Sequence, residues 1–322
     1  MPRNLQACLI LLAASTVIVA GPCAAIELPA WAYPITPPDF KPAPDDGTIK
    51  RVPDSTAGYT LSQLRDLFAA PDWHPQDHPK MPAPVARGRM PDVYACGVCH
   101  RATGAGGPEN ANITGLPYAY IVQQLADYKS GARSTALPKR LPQAAMISLS
   151  KRISDDEVKA AAAYFSALKP RANIQVVETD AVPQAYVANW FWADKKTGIK
   201  EPLGRRIVEV PEDLERFEHR DARATFVAYV PVGSLARGEA LVAGKVPETA
   251  PACASCHGAD LRGIDAIPPI AGRSPSYVIR QLYELQSGNR AGQNAALMKP
   301  VVDKLTLDDM IAIAAYLASR LP

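Results

Sequence analysis

One pentapeptide pattern, Cys-x-x-Cys-His, occurs twice in the chain and constrains its fold more than any other feature. The first copy is Cys96–His100 and the second is Cys253–His257. With 6 Cys and 5 His among 322 residues, random order would give roughly 0.002 copies of the pattern. The two copies therefore indicate a shared chemical task rather than a coincidence of composition.

This pattern is the attachment motif of c-type haem. Two thiols one helical turn apart can add to the two vinyl groups of one porphyrin, and the adjacent histidine then directs its imidazole at the iron. The chain is therefore predicted to carry two covalently bound haem c groups. The predicted attachment residues are Cys96, Cys99, Cys253 and Cys256, and the predicted iron ligands within the motifs are His100 and His257.

Two other uses of paired cysteines fit the spacing less well. A zinc ribbon would place its second Cys-x-x-Cys pair about 15–20 residues after the first, whereas Cys99 and Cys253 are 154 residues apart. A redox-active Cys-x-x-Cys usually follows a strand in a βαβ unit and needs no histidine after it. Haem attachment is the interpretation that uses all three residues of each motif.

Composition and charge exclude other classes of protein. Hydrophobic residues make up 48% of the chain and charged residues 21%, which is ordinary for a globular protein with room for two domains. The formal net charge is only +3, and without a basic block we expect no nucleic-acid partner. The 31 prolines against 20 glycines favour long irregular connections over one dense α/β core.

The first 25 residues are predicted to be a signal peptide. The apolar run Ala7–Val19 is shorter than the roughly 20 residues that a membrane span needs, and the small residues Cys23 and Ala25 suit peptidase cleavage. Cleavage would also remove Cys8, so that the four remaining cysteines all lie in the motifs. We therefore expect a periplasmic protein, attached to the membrane only if this segment is retained.

The two motifs belong to an internal repeat that predicts similar domains at 81–170 and 231–322. Adding 157 to the residue numbers of the first motif gives those of the second. The same offset aligns Tyr120–Tyr128 with Tyr277–Leu285. Both segments have helical periodicity and both are followed shortly by Ser-Gly, which is a common helix end. Each repeat therefore has a middle helix.

Each repeat also contains a methionine before a last predicted helix. Ser154 and Thr306 are N-cap candidates for helices with acids in the first turn and an Ala-rich apolar face. The offset in this part of the repeat is 152, and it aligns Met146 with Met298. The second copy has thus lost five residues before its methionine. Both units are predicted to be small helical bundles.

The segments outside the repeat are expected to be less regular. Residues 26–80 are predicted to form a Pro-rich extended arm on the surface, with a short helix within Thr60–Phe68. Residues 171–230 are predicted to form an inter-domain insert with short strands, at Ile174–Val177, Arg206–Val210 and Thr225–Val230. The predicted fold class is mainly α, with two tandem helical domains joined by a linker with a small β element.

These residues together resemble class I cytochromes c. The resemblance rests on the Cys-x-x-Cys-His motif, Pro-Ile-Ala-Gly at Pro269–Gly272, the helix ending in Ser-Gly and the methionine before a capped final helix. The tandem arrangement is similar to that of two-haem cytochromes of the c4 type. The resemblance covers about 180 of the 322 residues, outside the arm and the insert. It implies low-spin haems with His and Met ligands and electron transfer in the periplasm.

The sixth iron ligands are expected to be Met146 and Met298. A thioether ligand opposite the histidine raises the reduction potential of such a haem. A lone methionine is more often core filling than a ligand, but these two are the methionine pair that occupies equivalent positions in the repeat. Met90, close before Cys96, is a weaker competitor.

The resemblance also implies that the Pro268 carbonyl accepts a hydrogen bond from His257, with the Ala111 carbonyl serving His100. Three histidines that have no counterpart in the repeat are expected to be surface residues rather than ligands: His74, His78 and His219. The segment Trp190–Trp192 is expected to pack inside the protein, with a docking surface as the alternative.

The function expected from these features is a relay of single electrons between a redox-protein donor and a terminal oxidase or reductase, through transient contacts. The alternatives are a cytochrome subunit of a periplasmic dehydrogenase, or a dihaem oxidoreductase acting on a small reductant. An enzymatic haem needs an open or displaceable sixth position, so a methionine in both units favours a carrier over an enzyme. If the protein were an enzyme, Lys139 and Arg140 before Met146 could attract an anionic substrate.

Overall fold

The computed structural model describes residues 27–246 and 250–322. The predicted signal peptide lies outside the described residues. Twelve α-helices occur in the described part of the chain: α1 (Leu61–Arg65), α2 (Ala83–Ala86), α3 (Cys96–His100), α4 (Tyr118–Ser130), α5 (Leu141–Ser150), α6 (Asp155–Ser166), α7 (Leu214–Glu218), α8 (Ser234–Val242), α9 (Ala254–His257), α10 (Pro275–Gln286), α11 (Lys299–Val302) and α12 (Leu307–Ser319). None of these helices is both long and apolar enough to cross a membrane.

Short strands occupy the middle of the chain. They are β1 (Ile174–Glu178), β2 (Ala181–Pro183), β3 (Ala185–Ala188), β4 (Phe191–Asp194), β5 (Lys200–Pro202), β6 (Val208–Pro211) and β7 (Phe226–Val230). Single turns of 3-10 helix occur at Ala30–Ala32, Pro75–Asp77 and Gln293–Leu297.

The first helical unit is organised around α4 and α6, which pack together over α3. The predicted middle helix is α4, and it ends at Gly131 in the left-handed conformation (φ 85°) that glycine adopts without strain. The predicted N-cap Ser154 accepts a hydrogen bond from the Glu157 amide at the start of α6, and the Glu157 carboxylate accepts one in return from the Ser154 amide. This reciprocal capping fixes where the final helix begins.

The second unit repeats this plan with α10 and α12 and adds α8 against α12. Thr306 and Asp309 form the same capping box at the start of α12. Helices α8 and α12 approach so closely that a Cβ atom on Gly238 would lie 2.1 Å from the Ala312 carbonyl oxygen. The core of this unit is aliphatic and Ala-rich, and Ala314 and Ala315 are fully buried in it.

The insert forms a three-stranded sheet in which β7 lies between β1 and β6. Strand β1 runs parallel to β7, with Ile174 opposite Phe226, and β6 runs antiparallel to it. These three strands coincide with the predicted segments. Two further strand pairs, β2 with β5 and β3 with β4, were not predicted. Strand β1 packs against α12, so the sheet is continuous with the second helical unit.

The N-terminal arm does not lie only on the surface, and that part of the prediction is wrong. Ala32 and Tyr33 are 2% and 1% exposed and belong to the core of the second unit. The Trp192 indole Nε1 of the insert donates to the Trp31 carbonyl. This part of the arm is buried because its aromatic residues fill space between the insert and α10. The predicted helix after Thr60 is present as α1, with Thr60 as its N-cap.

Candidate haem sites

In the first unit, α3 lies on the wall of a large cavity. Its empty volume is about 1250 Å³, which includes open solvent at the mouth. Four of the predicted site residues line this one cavity: Cys96, Cys99, His100 and Met146. Helices α4, α5 and α6 contribute apolar side chains to the rest of the lining, among them Ile121, Leu149 and Phe165. The first predicted ligand set is therefore brought together.

Both motif histidines make the hydrogen bond that the resemblance implied. The His100 Nδ1 atom lies 2.9 Å from the Ala111 carbonyl oxygen, and the His257 Nδ1 atom lies 2.8 Å from the Pro268 carbonyl oxygen. A carbonyl can only accept, so Nδ1 carries the proton and Nε2 is left with its lone pair. This arrangement orients each ring and leaves Nε2 available to a metal.

Burial lowers the pKa of both His100 and His257. The neutral imidazole that coordinates a metal is therefore favoured. The motif cysteines are free, with no disulfide among the described cysteines. Burial raises the pKa of the Cys96 thiol to about 12 and that of the Cys253 thiol to about 11. The described motif cysteines are thus free thiols, the form that adds to the vinyl groups of a haem.

The two predicted methionine ligands have different surroundings. Met146 lies within α5, a helix that was not predicted, and lines the cavity. Met298 lies between a 3-10 turn and α11 and packs, as Cys253 does, against the core of the second unit. The competitor Met90 is 72% exposed and does not line the cavity.

The three histidines outside the motifs are buried, so the prediction of surface histidines is wrong. His74 and His219 are 3% and 4% exposed, and the side chain of His78 is 2% exposed. His74 Nε2 lies 3.1 Å from Asp221, and His78 Nε2 lies 3.1 Å from Asp72. Residues of the arm and the insert cover these side chains. None of the three lines the first haem cavity.

Arg140 is also buried, at 1% exposure, and cannot attract an anion from solution. Its guanidinium donates to the Pro34 and Trp190 carbonyls and to the Gln143 side chain. The neighbouring Lys139 remains exposed. The packing interpretation of Trp190–Trp192 agrees with the structure, because Phe191 is 6% exposed.

A polar cluster between the two units was missed by the sequence interpretation. Arg133 of the first unit donates to Gln124 of its own unit at 2.9 Å. It also donates across the interface to the Tyr277 hydroxyl at 3.1 Å and to the Gln281 side chain at 2.7 Å. Arg133 is 5% exposed, so these contacts are sheltered from water.

Arg290 makes the same set of contacts in the opposite direction. It donates to Gln281 of its own unit at 3.2 Å and, across the interface, to the Tyr120 hydroxyl at 2.6 Å and to Gln124 at 3.0 Å. Each residue of this cluster is related to its counterpart by the offset of 157, and the arrangement has pseudo-two-fold symmetry. We call these six residues the interface cluster: Tyr120, Gln124, Arg133, Tyr277, Gln281 and Arg290.

The interface cluster fits a haem in the first cavity. Five of its members line that cavity, and the Arg133 Nε atom is buried without a hydrogen-bond partner. Among the described residues, no carboxylate lies within 4.0 Å of either Arg133 or Arg290. A buried guanidinium without a counter-ion is costly, and the propionate groups of a haem would supply the missing anions. Within the same residues, no three His, Cys, Asp or Glu side chains converge as a separate metal site.

Comparison with known proteins agrees with this geometry. The family model for "Cytochrome c" matches residues 85–169 and 235–320. A "Thiosulfate dehydrogenase electron acceptor" of Thiomonas intermedia is 25% identical over 233 residues, which is 71% of this chain and 80% of that protein. "Cytochrome c4" of Pseudomonas aeruginosa is 24% identical over 227 residues, covering 69% of this chain and 82% of the relative.

Similar solved structures include the thiosulfate dehydrogenase of Marichromatium purpuratum, with a TM-score of 0.48 and 29% identity over 71% of this chain and 37% of the other. Cytochrome c4 of Acidithiobacillus ferrooxidans has a TM-score of 0.46 and 23% identity, covering 70% of this chain and 98% of the other. The two domain matches imply two covalently bound haem c groups. The chain belongs to the cytochrome c family, with two tandem cytochrome c domains, and it is similar to the dihaem relative named cytochrome c4.

Proposed function

We propose that the protein relays single electrons in the periplasm between a redox-protein donor and a terminal oxidase or reductase. Its domains are 81–170 and 231–322, supported by the arm 26–80 and the insert 171–230. The first haem is held by Cys96, Cys99, His100 and Met146, and the second by Cys253, Cys256, His257 and Met298. The observation that carries the proposal is the interface cluster, because it joins the two haem domains through hydrogen bonds and lines the first haem cavity.

Each group of residues has a distinct part in this relay. The cysteine sulfurs tether the cofactor, and the Nδ1–H bonds to Ala111 and Pro268 hold each histidine ring in one orientation. The Met146 and Met298 thioethers would serve with the histidines as ligands of the iron and would keep small ligands from it. The apolar side chains that line the first cavity would limit the access of water to the cofactor. When bound, each haem supplies a one-electron ferric/ferrous couple whose potential depends on its ligands and surroundings.

A second candidate narrows the donor to a periplasmic dehydrogenase that oxidises a small sulfur compound. It is favoured by the relatives called "Thiosulfate dehydrogenase electron acceptor" in Thiomonas intermedia and Stutzerimonas stutzeri, each 25% identical. In this candidate the chain accepts electrons and does not bind the sulfur compound itself. The burial of Arg140 supports that division of labour, because this arginine is not accessible to an anion from solution.

The test is rapid mixing of the oxidised holoprotein with electron donors, followed by the visible haem spectrum. We expect thiosulfate alone to leave both haems oxidised, and a thiosulfate dehydrogenase with thiosulfate to reduce both haems. Subsequent mixing with a terminal oxidase should reoxidise them. Reduction by thiosulfate alone with continued turnover would identify an enzyme instead of a carrier. A failure of every protein donor and acceptor to exchange electrons would contradict the relay.

A further inference from the structure

Two arginines converge on one backbone carbonyl inside the first haem-attachment motif. Arg101 Nη1 donates to the Val98 carbonyl at 3.1 Å, and Arg220 Nη1 donates to the same oxygen at 2.8 Å. Val98 lies between the two motif cysteines and is fully buried. Arg220 comes from the insert, directly after α7, and its Nε also donates to the Leu64 carbonyl at 2.7 Å. The insert therefore contacts the attachment motif of the first haem, helix α3, directly.

This group carries a net positive charge. Arg101 is 3% exposed, and Glu109 is the carboxylate in ion-pair range of it, at 3.7 Å. A guanidinium keeps its charge at neutral pH, so Arg101 contributes a positive charge beside the first motif. Among the described residues, Arg220 has no carboxylate within 4.0 Å. The adjacent Asp221 is matched by Arg216 at 2.5 Å. Two guanidiniums thus face one carboxylate beside the first motif.

The second motif lacks this arrangement. The offset of 157 places Gly258 where the first unit has Arg101, and Ala266 where it has Glu109. The surroundings also differ in solvent access, because Cys256 is exposed whereas Cys99 is half-buried. Both differences act in the same direction, since fixed positive charge and exclusion of solvent each favour the less charged, reduced state of a haem.

We propose that Arg101 and Arg220 form a cationic clamp on the Val98 carbonyl that raises the reduction potential of the first haem above that of the second. At equilibrium, an electron that enters at either haem from the redox-protein donor therefore resides mainly on the first haem. Reduction removes one positive charge from the iron and needs no accompanying proton, so a nearby fixed cation favours the reduced form directly. This inference rests on the proposed function of a two-haem relay.

The variant Arg101→Gly tests the clamp with little risk to the backbone. Arg101 has a φ of 67°, and Gly258 has a φ of 86° at the equivalent position, so glycine relieves strain at this site. Redox titration of the holoprotein, with the haems assigned by paramagnetic NMR, should show the oxidised-to-reduced ratio of the first haem rising on the order of tenfold at a fixed potential. The second haem should not change. The exposed residue change Lys195→Gln is the matched control for net charge.

Two substitutions of Arg220 distinguish the effect of its charge from the effect of its hydrogen bond to the Val98 carbonyl. Arg220→Lys keeps the charge but loses the fork of donors, whereas Arg220→Gln keeps a donor and loses the charge. If the charge of the clamp sets the potential, Arg220→Gln should lower the reduction potential of the first haem. Arg220→Lys should leave that potential close to the wild-type value. An equal fall in the reduction potential of the first haem in both variants would overturn the proposal. The hydrogen bond to the Val98 carbonyl, rather than the charge, would then set the potential.

A wild-type protein in which the second haem has the higher potential would overturn the proposal as well. The titration uses no partner protein, so its result is independent of whether the proposed donor and acceptor exchange electrons with the chain. A failed relay with the expected order of potentials would contradict only the proposed function, and a working relay with the opposite order would contradict only the clamp.

Discussion

The two haem domains share the geometry of the attachment motif but differ in what surrounds it. In both, the motif histidine donates from Nδ1 to a carbonyl eleven residues further on. In the first domain, Cys99 is half-buried beneath Arg101 and Arg220, whereas in the second Cys256 is exposed. The repeated residues thus determine how each haem is attached. The arm and the insert, which are not repeated, account for most of the difference in the surroundings of the two motifs.

The interface cluster between the domains shows the opposite behaviour, because all six of its residues are repeated. Arg133 and Arg290 each donate to a glutamine of their own domain. Each also donates to a tyrosine and a glutamine of the other domain. Their backbones also meet as an antiparallel bridge. A duplicated surface that pairs with itself needs only one set of complementary residues. We therefore expect the equivalent residues of both domains to contribute to the stability of this interface.

The largest expected effect is the loss of one haem from one domain. Replacement of both Cys96 and Cys99 by alanine should leave the second haem in place, since each motif holds its own cofactor. Mass spectrometry of the intact protein should show the covalently bound haem count falling from two to one. The matched variant with Cys253 and Cys256 replaced should retain the first haem. Loss of both haems in either variant would show that the domains do not acquire cofactor independently.

The next effect is on reduction potential through the sixth ligand. Met298→His should keep the second haem six-coordinate and lower its potential, because imidazole is a harder ligand than a thioether. Met146→His should do the same in the first domain, although Met146 lies on a helix and Met298 at a junction between two turns. The measurement is a redox titration followed by visible spectra. An unchanged spectrum and potential in either variant would show that this methionine is only core filling.

A smaller effect is expected on stability from the interface cluster. Arg133 is 5% exposed, whereas Arg290 is half-buried. Hydrogen bonds from a buried charged group each contribute about 1.5–3 kcal/mol. Arg133→Gln should therefore lower the free energy of unfolding by about 2–3 kcal/mol, and Arg290→Gln by less. Denaturant titration followed by circular dichroism measures both. Equal losses of unfolding free energy in the two variants would mean that the contacts, which are the same for both arginines, determine the stability more than the difference in burial does.

Local elements of this fold could be predicted because their signals lie close together in the sequence. The caps of α6 and α12 depend on residues three positions apart, Ser154 with Glu157 and Thr306 with Asp309. The ends of the middle helices follow from Ser-Gly, and the strands from alternating β-branched residues. The motif histidines and their carbonyl partners are likewise only eleven residues apart.

The burial of polar residues could not be predicted in the same way. Arg133 reaches Gln281 over a separation of 148 residues, and Arg140 reaches the Pro34 carbonyl over 106 residues. His74 is covered by the insert through Asp221. A polar side chain is expected at the surface unless partners for it are known, and here each partner lies in a different segment. The repeat offset did relate the two arginines, but it carried no information that they face one another.

The smallest expected effect is a pH dependence confined to the first half of the molecule. His78 lies 3.1 Å from Asp72 and stacks edge-on against Tyr164 of α6. The hydrogen bond to the Asp72 carboxylate raises the pKa of His78, with further support from the Pro79 carbonyl, while burial opposes it. A pKa that is higher in the folded state contributes stability below the unfolded pKa of roughly 6.5, and this contribution is lost as the pH rises through the folded value.

Raising the pH from 6 to 9 should therefore weaken the attachment of the arm to the first domain, by about 0.5–1 kcal/mol in the free energy of unfolding. Asp72→Asn should remove most of this dependence, because the neutral amide no longer favours the charged imidazole. His219 provides the opposite case, since burial lowers its pKa, so that its contribution to stability grows as the pH rises. His219→Gln should consequently steepen the loss between pH 6 and 9. If Asp72→Asn leaves the slope unchanged, the His78 pair does not link the arm to pH, and the two domains respond alike.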